Sequence, residues 1–134
     1  MTRRVVTGLL LACAAALLAA GCGTGGRASS HFDVGNGEKL FKTTAQCAAC
    51  HTLAAAGSTA TVGPNLDDAF AGDRAQHFKQ STIQNIVLDQ IRLGSGPLST
   101  GTSKTEAATQ MPANLVTGQD AQDVAAYVAS VAGK

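Results

Sequence analysis

The chain has 134 residues and a formal net charge of +1, enough length for one small domain and too little charge to indicate nucleic-acid binding. Four Phe, one Tyr and no Trp leave few bulky aromatic side chains for a core. The interior must therefore be filled by Ala, Val, Leu and Ile, or by an apolar group that is not protein.

Residues 1–21 have the pattern of an export signal. Arg3 and Arg4 precede an apolar run over residues 5–20, and Gly-Cys follows. This pattern resembles a bacterial lipoprotein signal, in which cleavage before Cys22 leaves an N-terminal cysteine that carries acyl chains. An ordinary secretory signal and an uncleaved anchor are the alternatives. We expect an exported protein, anchored to the outer face of the cell membrane or in the periplasm.

A flexible tether is predicted for residues 22–31, which are rich in Gly and Ser, so that residues 32–134 form the folded domain. Removal of the signal and lipidation of Cys22 leave only Cys47 and Cys50. Exported domains normally use cysteines for structural disulfides. The close spacing of this pair favours a chemical role instead.

The first half of the domain contains one clear helical stretch. A helix is predicted from a cap at Asn36 through residues 37–48, with Leu40 and Phe41 on its apolar face. Residues 52–66 are predicted to be loop. Residues 66–80 predict one or two short helical turns.

The next predicted helix covers residues 81–94, with Ser81 or Thr82 as its cap and Gly94 as its end. Residues 94–110 have no apolar period and predict a long loop. A loop of that length in a compact domain is usually functional.

The last predicted helix covers residues 117–133, where Thr117 and Asp120 resemble a capping box. No segment shows the alternation typical of a strand. The sequence therefore predicts an all-α domain with long loops.

The motif C-A-A-C-H at residues 47–51 is compatible with three chemistries. A dithiol redox site uses such a pair, but thioredoxin-like proteins place it at a helix start after a strand, and no such strand is predicted here. A structural zinc site needs four ligands, of which the motif supplies three and His31 or His77 the fourth. Covalent haem attachment is the third, because C-x-x-C-H is its known pattern.

Haem attachment suits an exported chain without further cysteines. Each thiol adds to one vinyl group of the porphyrin, and His51 ligates the iron. The thiols must be reduced on an unfolded chain outside the cytoplasm, which general secretion provides.

The sixth iron position then needs a ligand from downstream. Met111 is the one methionine left after signal removal and ends the long loop. His31 and His77 are its rivals, and a gap-filling role for Met111 is the alternative.

Several sequence features occur in the order found in class I c-type cytochromes. They are GEKLF with Gly37 and Phe41, CAACH at residues 47–51, GPNL at residues 63–66, QMP around Met111, and DVAAYVASV with Tyr127. Residues 32–134 therefore resemble a class I mono-haem cytochrome c, exported here as a bacterial lipoprotein.

The resemblance implies a small cytochrome c fold, with N- and C-terminal helices packed crosswise around one covalently bound haem c. Cys47 and Cys50 would carry the haem, and His51 would be the proximal iron ligand. The other ring nitrogen of His51 would donate to the carbonyl of Pro64. Met111 would be the distal iron ligand. Gly37 would allow the two terminal helices to approach closely, with Phe41 packed near Tyr127.

The resemblance also implies an electron carrier and not an enzyme. Its partners would be redox proteins, such as a bc-type complex, a terminal oxidase or a dehydrogenase. The lipid anchor would bring the protein to them at the membrane. Nucleic acid is not an expected partner. The best-known members of that family carry a ring of lysines around the haem edge. The few lysines of this chain are scattered along the sequence, so we do not expect it to dock on its partners through such a ring. The alternative function is a haem-based gas-binding or sensor protein with an open sixth position.

Overall fold

The computed structural model describes residues 31–95 and 110–134. Within them lie four α-helices: α1 (Val34–Lys42), α2 (Leu66–Ala75), α3 (Gln80–Leu93) and α4 (Gly118–Val131). Single 3₁₀ turns occur at Cys47–Ala49 and Ala54–Ala56. The predicted export signal, Cys22, nearly all of the tether and most of the long loop lie outside the described residues. The all-α prediction is confirmed.

A small antiparallel ladder lies in the segment that was predicted to be loop. Strand β1 (Thr52–Leu53) pairs with β2 (Ser58–Thr59), with Leu53 opposite Ser58. The Ser58 hydroxyl accepts from the Leu53 N–H at 3.0 Å and donates to the His51 carbonyl at 2.7 Å. Strands of two residues are too short for an alternating pattern to show in the sequence.

Helix α1 begins and ends earlier than predicted. Asp33, and not Asn36, is its cap, because the Asp33 carboxylate accepts from the Asn36 N–H at 2.9 Å. The helix ends at Lys42, where the Thr43 hydroxyl donates to the Lys39 carbonyl at 2.7 Å. Such hydroxyl-to-backbone bonds compete with helical continuation. The cysteine motif therefore lies beyond the helix, in its own turn.

Of the two middle helices, α2 starts where helical turns were predicted and α3 starts earlier than predicted. The predicted short turns form α2, whose Asn65 cap accepts from the Asp67 N–H at 3.0 Å. Helix α3 starts at Gln80 after Lys79, so Ser81 and Thr82 are not its cap. No side chain caps this start. The absence of a cap could not be predicted, because several polar residues that could serve as caps lie near it. Gly94 ends α3 as predicted, with a φ of +62°.

Helix α4 is the centre of the fold and packs against both α1 and α3. Thr117 precedes it as predicted, but the predicted capping box is wrong, because no side-chain bond caps this start. Its alanines are buried on several faces, and Ala125, Ala126 and Ala129 are fully buried. Small side chains allow neighbouring helices to approach α4 from more than one side.

The closest approach of α1 and α4 is at Gly37. A Cβ on Gly37 would clash with the Asp123 carbonyl and lie 2.9 Å from Tyr127 Cβ. One turn further on, the rings of Phe41 and Tyr127 meet edge to face, with centroids 5.8 Å apart. The expected packing of the terminal helices is therefore confirmed.

A buried carboxylate joins the same two helices. Asp123 on α4 is 3% exposed and accepts from the Asp33 N–H at 2.9 Å, Asn36 Nδ2 at 2.8 Å and Gln119 Nε2 at 2.8 Å. Burial by itself raises the pKa of Asp123, but these hydrogen bonds outweigh it and lower that pKa below its ordinary value. The carboxylate is thus held ionised at the start of α1.

Among the described helices, none combines the length and apolar character that a membrane crossing requires.

Candidate functional site

The cysteine motif forms a tight turn. The N–H groups of Cys50 and His51 both donate to the Cys47 carbonyl, at 3.1 and 2.9 Å. Gln46 begins this turn in the left-handed region, with a φ of +53°. Cys47 is 8% exposed, whereas Cys50 is exposed at the surface. One thiol therefore faces inward and the other lies at the rim.

His51 has a fixed ring orientation. Its Nδ1 lies 2.9 Å from the Pro64 carbonyl oxygen, the pairing that the resemblance implies. A carbonyl oxygen only accepts, so Nδ1 carries the proton and Nε2 keeps its lone pair. This tautomer is the one that a metal ligand requires.

Gly63 makes room for that ring. A Cβ on Gly63 would lie 2.6 Å from His51 Cε1 and 2.8 Å from Nδ1. The Gly63 N–H also donates to the Cys50 carbonyl at 2.7 Å, which joins this loop to the cysteine turn. The sequence pattern placed Gly63 only within the GPNL segment and did not predict this contact. Its sequence signal is its place in the Gly-Pro pair, whose proline carbonyl accepts from the ring.

A cleft of about 290 Å³ opens beside this turn, with walls from all four helices and from the loops. Its lining is almost entirely apolar, and no Asp, Glu, Lys or Arg is among the described residues that form it. They are Phe41, Cys47, His51, Pro64, Leu66, Ala69, Phe70, Ile86, Val87, Gln90, Ile91, Ser95, Met111, Val124 and Val128. The cleft suits a bulky apolar ligand.

Met111 lines the same cleft as His51 and Cys47. An adjoining cavity of about 130 Å³ is lined by both cysteines together with His51, Pro64 and Met111. The structure thus brings together all five site residues that the sequence predicted within the domain. The sixth predicted residue, Cys22, lies outside the described residues.

The rival histidines lie elsewhere. His77 is exposed just after α2, in the left-handed region with a φ of +61°. His31 lines a separate surface depression with Phe32 and Gln119. Within residues 31–95 and 110–134, no group of three or more His, Cys, Asp and Glu side chains is placed to hold a metal ion. A four-ligand zinc site is therefore not assembled by these residues.

The buried thiol of Cys47 is not an activated nucleophile. Burial raises the pKa of Cys47 to about 11. The reactive cysteine of an oxidoreductase needs a lowered pKa, because the thiolate is the nucleophile. Cys47 therefore does not supply the reactive thiol of a dithiol redox site, and its sulfur faces the interior beside the cleft.

The residues present fit a covalently attached haem. Two thiols at the edge of an apolar cleft match two points of attachment, and the imidazole nitrogen of His51 and the thioether of Met111 have the chemistry of iron donors. The apolar walls match the faces of the macrocycle. These features belong to one connected site and not to separate parts of the molecule.

Comparison with known proteins agrees with this geometry. The family model described as Cytochrome c matches residues 34–132, a span that includes every described helix and the whole site. A comparison with curated protein sequences gave no match. Proteins of the matched family bind covalent haem c and transfer electrons, and Cys47 and Cys50 fit the C-x-x-C-H attachment pattern. This chain belongs to the cytochrome c family, with haem c as its cofactor.

Proposed function

We propose that this protein is a class I mono-haem electron carrier in which His51 and Met111 are the two axial ligands of the iron. The bound haem supplies one-electron chemistry, and the chain supplies its attachment, its ligands and an apolar surrounding. The observation that carries the proposal is that His51, fixed by Pro64, and Met111 line one apolar cleft beside Cys47.

His51 is prepared for ligation by its neighbours. The Pro64 carbonyl accepts from Nδ1, and the absence of a side chain at Gly63 lets the ring lie close to the loop backbone. Both contacts are made by the chain's own residues. In the folded protein they hold the ring in one orientation, with Nε2 available to the iron.

Met111 is the proposed second ligand. A thioether donor and an apolar environment favour the reduced state of haem iron and raise its potential. With His51 and Met111 both holding the iron, no position would be left for a substrate. An electron carrier, and not an enzyme, is the function that this arrangement supports best.

The proposal is tested by binding of carbon monoxide to the reduced protein. The native protein should bind it far more weakly than Met111→Ala, because Met111 competes for the iron. Leu93→Ala, which changes an exposed side chain on α3 that lines neither cavity, should behave as the native protein does. Equally tight binding by native protein and Met111→Ala would instead identify a gas-binding or sensor protein.

We also propose that the chain is exported and anchored to the outer face of the cell membrane by lipid on Cys22. Support comes from the signal pattern, the Gly/Ser-rich tether and the near-neutral charge, which provides little electrostatic steering toward partners. Tethering raises the effective concentration of carrier and membrane partner. A bc-type donor and a terminal oxidase or dehydrogenase would then be met within the membrane layer.

A Cys22→Ser form that is exported and released tests this anchoring. It should reduce its oxidase more slowly than the anchored protein does in membranes at equal bulk concentration. Equal rates would show that the anchor does not serve electron transfer. The native chain should partition with membranes, and its recovery in the soluble fraction would contradict lipidation.

A further inference from the structure

The segment that contains Met111 is seated on the end of helix α3. Gly94, at the helix end, has a φ of +62°, and a Cβ there would lie 2.5 Å from the Met111 carbonyl oxygen and 2.7 Å from Ala113 N. The Asn114 N–H donates to the Ile91 carbonyl at 2.8 Å. One of the last carbonyls of α3, which has no partner within its own helix, is thereby satisfied by this segment.

Ser95 binds Met111 twice. The Ser95 N–H donates to the Met111 carbonyl at 2.9 Å, and the Met111 N–H donates to Ser95 Oγ at 3.0 Å. Both backbone polar groups of Met111 are thus bonded to one residue. Ser95 itself directly follows Gly94, whose carbonyl accepts from Gln90 Nε2 at 2.7 Å.

These bonds fix the backbone of a residue whose side chain is intrinsically loose. Methionine is unbranched and has three rotatable side-chain bonds, so its sulfur is poorly placed unless its backbone is held. Residues 110–114 form no helix or strand of their own. Helix α3 contributes Ile91 and Gln90 to the cleft wall, so a segment held to α3 is held to the cleft as well.

We infer that Ser95 is a positioning residue for Met111, and that its hydroxyl sets how firmly the thioether holds the iron. This inference rests on the proposed ligation by His51 and Met111. Ser95 acts through the Met111 backbone: with the hydroxyl removed, the Met111 N–H loses its partner and the thioether competes less well with other ligands.

The test is the affinity of the oxidised holoprotein for added imidazole, which must displace Met111. Ser95→Ala should bind imidazole about tenfold more tightly than the native protein, the change that loss of one net hydrogen bond produces. Ser130→Ala is the matched control, because its hydroxyl donates to the Tyr127 carbonyl within α4 at 2.7 Å, away from the cleft. It should stay within about twofold of the native affinity, the scatter expected for an uninvolved site.

If Ser95→Ala expresses or folds poorly, a second pair of variants still tests the inference. The side chains of Thr and Val have the same shape, but only Thr has a hydroxyl. The Ser95→Thr protein should therefore resemble the native protein, and the Ser95→Val protein should bind imidazole more tightly. Equal affinities for the pair, or for Ser95→Ala and the native protein, would overturn the inference.

The absorption spectrum of the native protein distinguishes a failure of this inference from a failure of the proposed ligation by His51 and Met111. In the cytochromes c that the chain resembles, a weak far-red band of the oxidised protein reports the bond between methionine and iron. Its absence from the native protein would overturn the proposed ligation and this inference together. Its presence with unchanged imidazole affinity in Ser95→Ala would overturn the inference alone.

Discussion

The absence of a side chain at Gly63 allows the His51 ring to take its position in the site. The imidazole ring lies against the Gly63 backbone and bonds to the next carbonyl, that of Pro64. Because a Cβ at Gly63 would overlap ring atoms, ring position and loop backbone are determined together. Met111 lines the same cleft, and its backbone lies against Gly94 and bonds to Ser95.

Replacement of Gly63 by Ala should displace the His51 ring. The added Cβ would lie 2.6 Å from Cε1, so the ring must move away from the Pro64 carbonyl or the loop must shift. We expect a loss of about 1–3 kcal/mol in the free energy of unfolding of the holoprotein, measured by denaturant titration.

Gly72→Ala is the control for this substitution. A Cβ at Gly72, inside α2, meets no atom within 4 Å. It should leave stability unchanged or raise it by about 0.4–1 kcal/mol. If Gly63→Ala were equally harmless, the ring would not depend on that glycine.

The sequence was sufficient to single out the candidate site residues that the structure brings together. Cys47, Cys50 and His51 stand in a recognisable spacing, and Met111 was the one methionine left after the signal. Gly63 and Ser95 could not be assigned in the same way. Their roles depend on distances between segments that are far apart along the chain, and a lone Gly or Ser has many ordinary uses.

Among the helices, the pair α1 and α4 holds the two ends of the domain together. Gly37 permits the close approach, and Phe41 packs on Tyr127. Asp123 adds a polar connection, because it receives the backbone N–H of Asp33 and the side-chain amide of Asn36. Apolar packing thus sets the contact, and the buried carboxylate determines how the start of α1 meets α4.

The stability of this pair should fall in acid through Asp123. Its pKa in the folded protein is lowered, so its contribution is complete above the unfolded value of about 4 and is lost as the pH falls through the folded value. Asp123→Asn should cost about 2 kcal/mol at neutral pH, because hydrogen bonds to an ionised group are lost. Its stability should also fall less between neutral pH and acid than that of the native protein.

Urea titrations at several pH values measure both effects. Asp89→Asn, at an exposed carboxylate on α3, is the control for loss of one negative charge. If Asp123→Asn lost stability in acid as steeply as the native protein, Asp123 would not be the group that titrates.

Helix existence could be predicted from the sequence, but the starts of α1 and α3 could not. Apolar periodicity indicated three of the four described helices, and Gly94 marked an end correctly. The cap predictions for α1 and α3 were wrong because several polar residues cluster near each start. Asp33 and Asn36 are both good caps, and the choice between them depends on the bond that Asp33 makes to the Asn36 N–H. At α3 no side chain caps the start at all.

At the scale of the molecule, all four described helices and the loops between them contribute walls to one apolar cleft. The largest fully buried side chains are mostly aliphatic, and Ile86 on the cleft wall is 43% exposed. A small domain buries a low fraction of its surface and has little stability to spare. The shortage of aromatic residues in the sequence pointed to a non-protein part of the core, and the lining of the cleft agrees with this.

The chain without haem should therefore be largely unfolded. Without haem the cleft walls face water, and the remaining core of Ala, Val, Leu and Ile does not compensate for the conformational entropy of the ordered chain. Far-ultraviolet circular dichroism of a Cys47→Ala, Cys50→Ala form, compared with the holoprotein, measures this directly. Helix content equal to that of the holoprotein would contradict the idea that haem completes the core.

The central claim is that one haem, attached at Cys47 and Cys50, is ligated by His51 and Met111. The absorption spectrum of the oxidised, purified protein tests it most directly. We predict a coloured protein whose spectrum contains the weak far-red band of a bond between methionine and iron, lost in Met111→Ala and retained in Leu93→Ala. A colourless protein, or one that carries haem but lacks this band, would contradict the account.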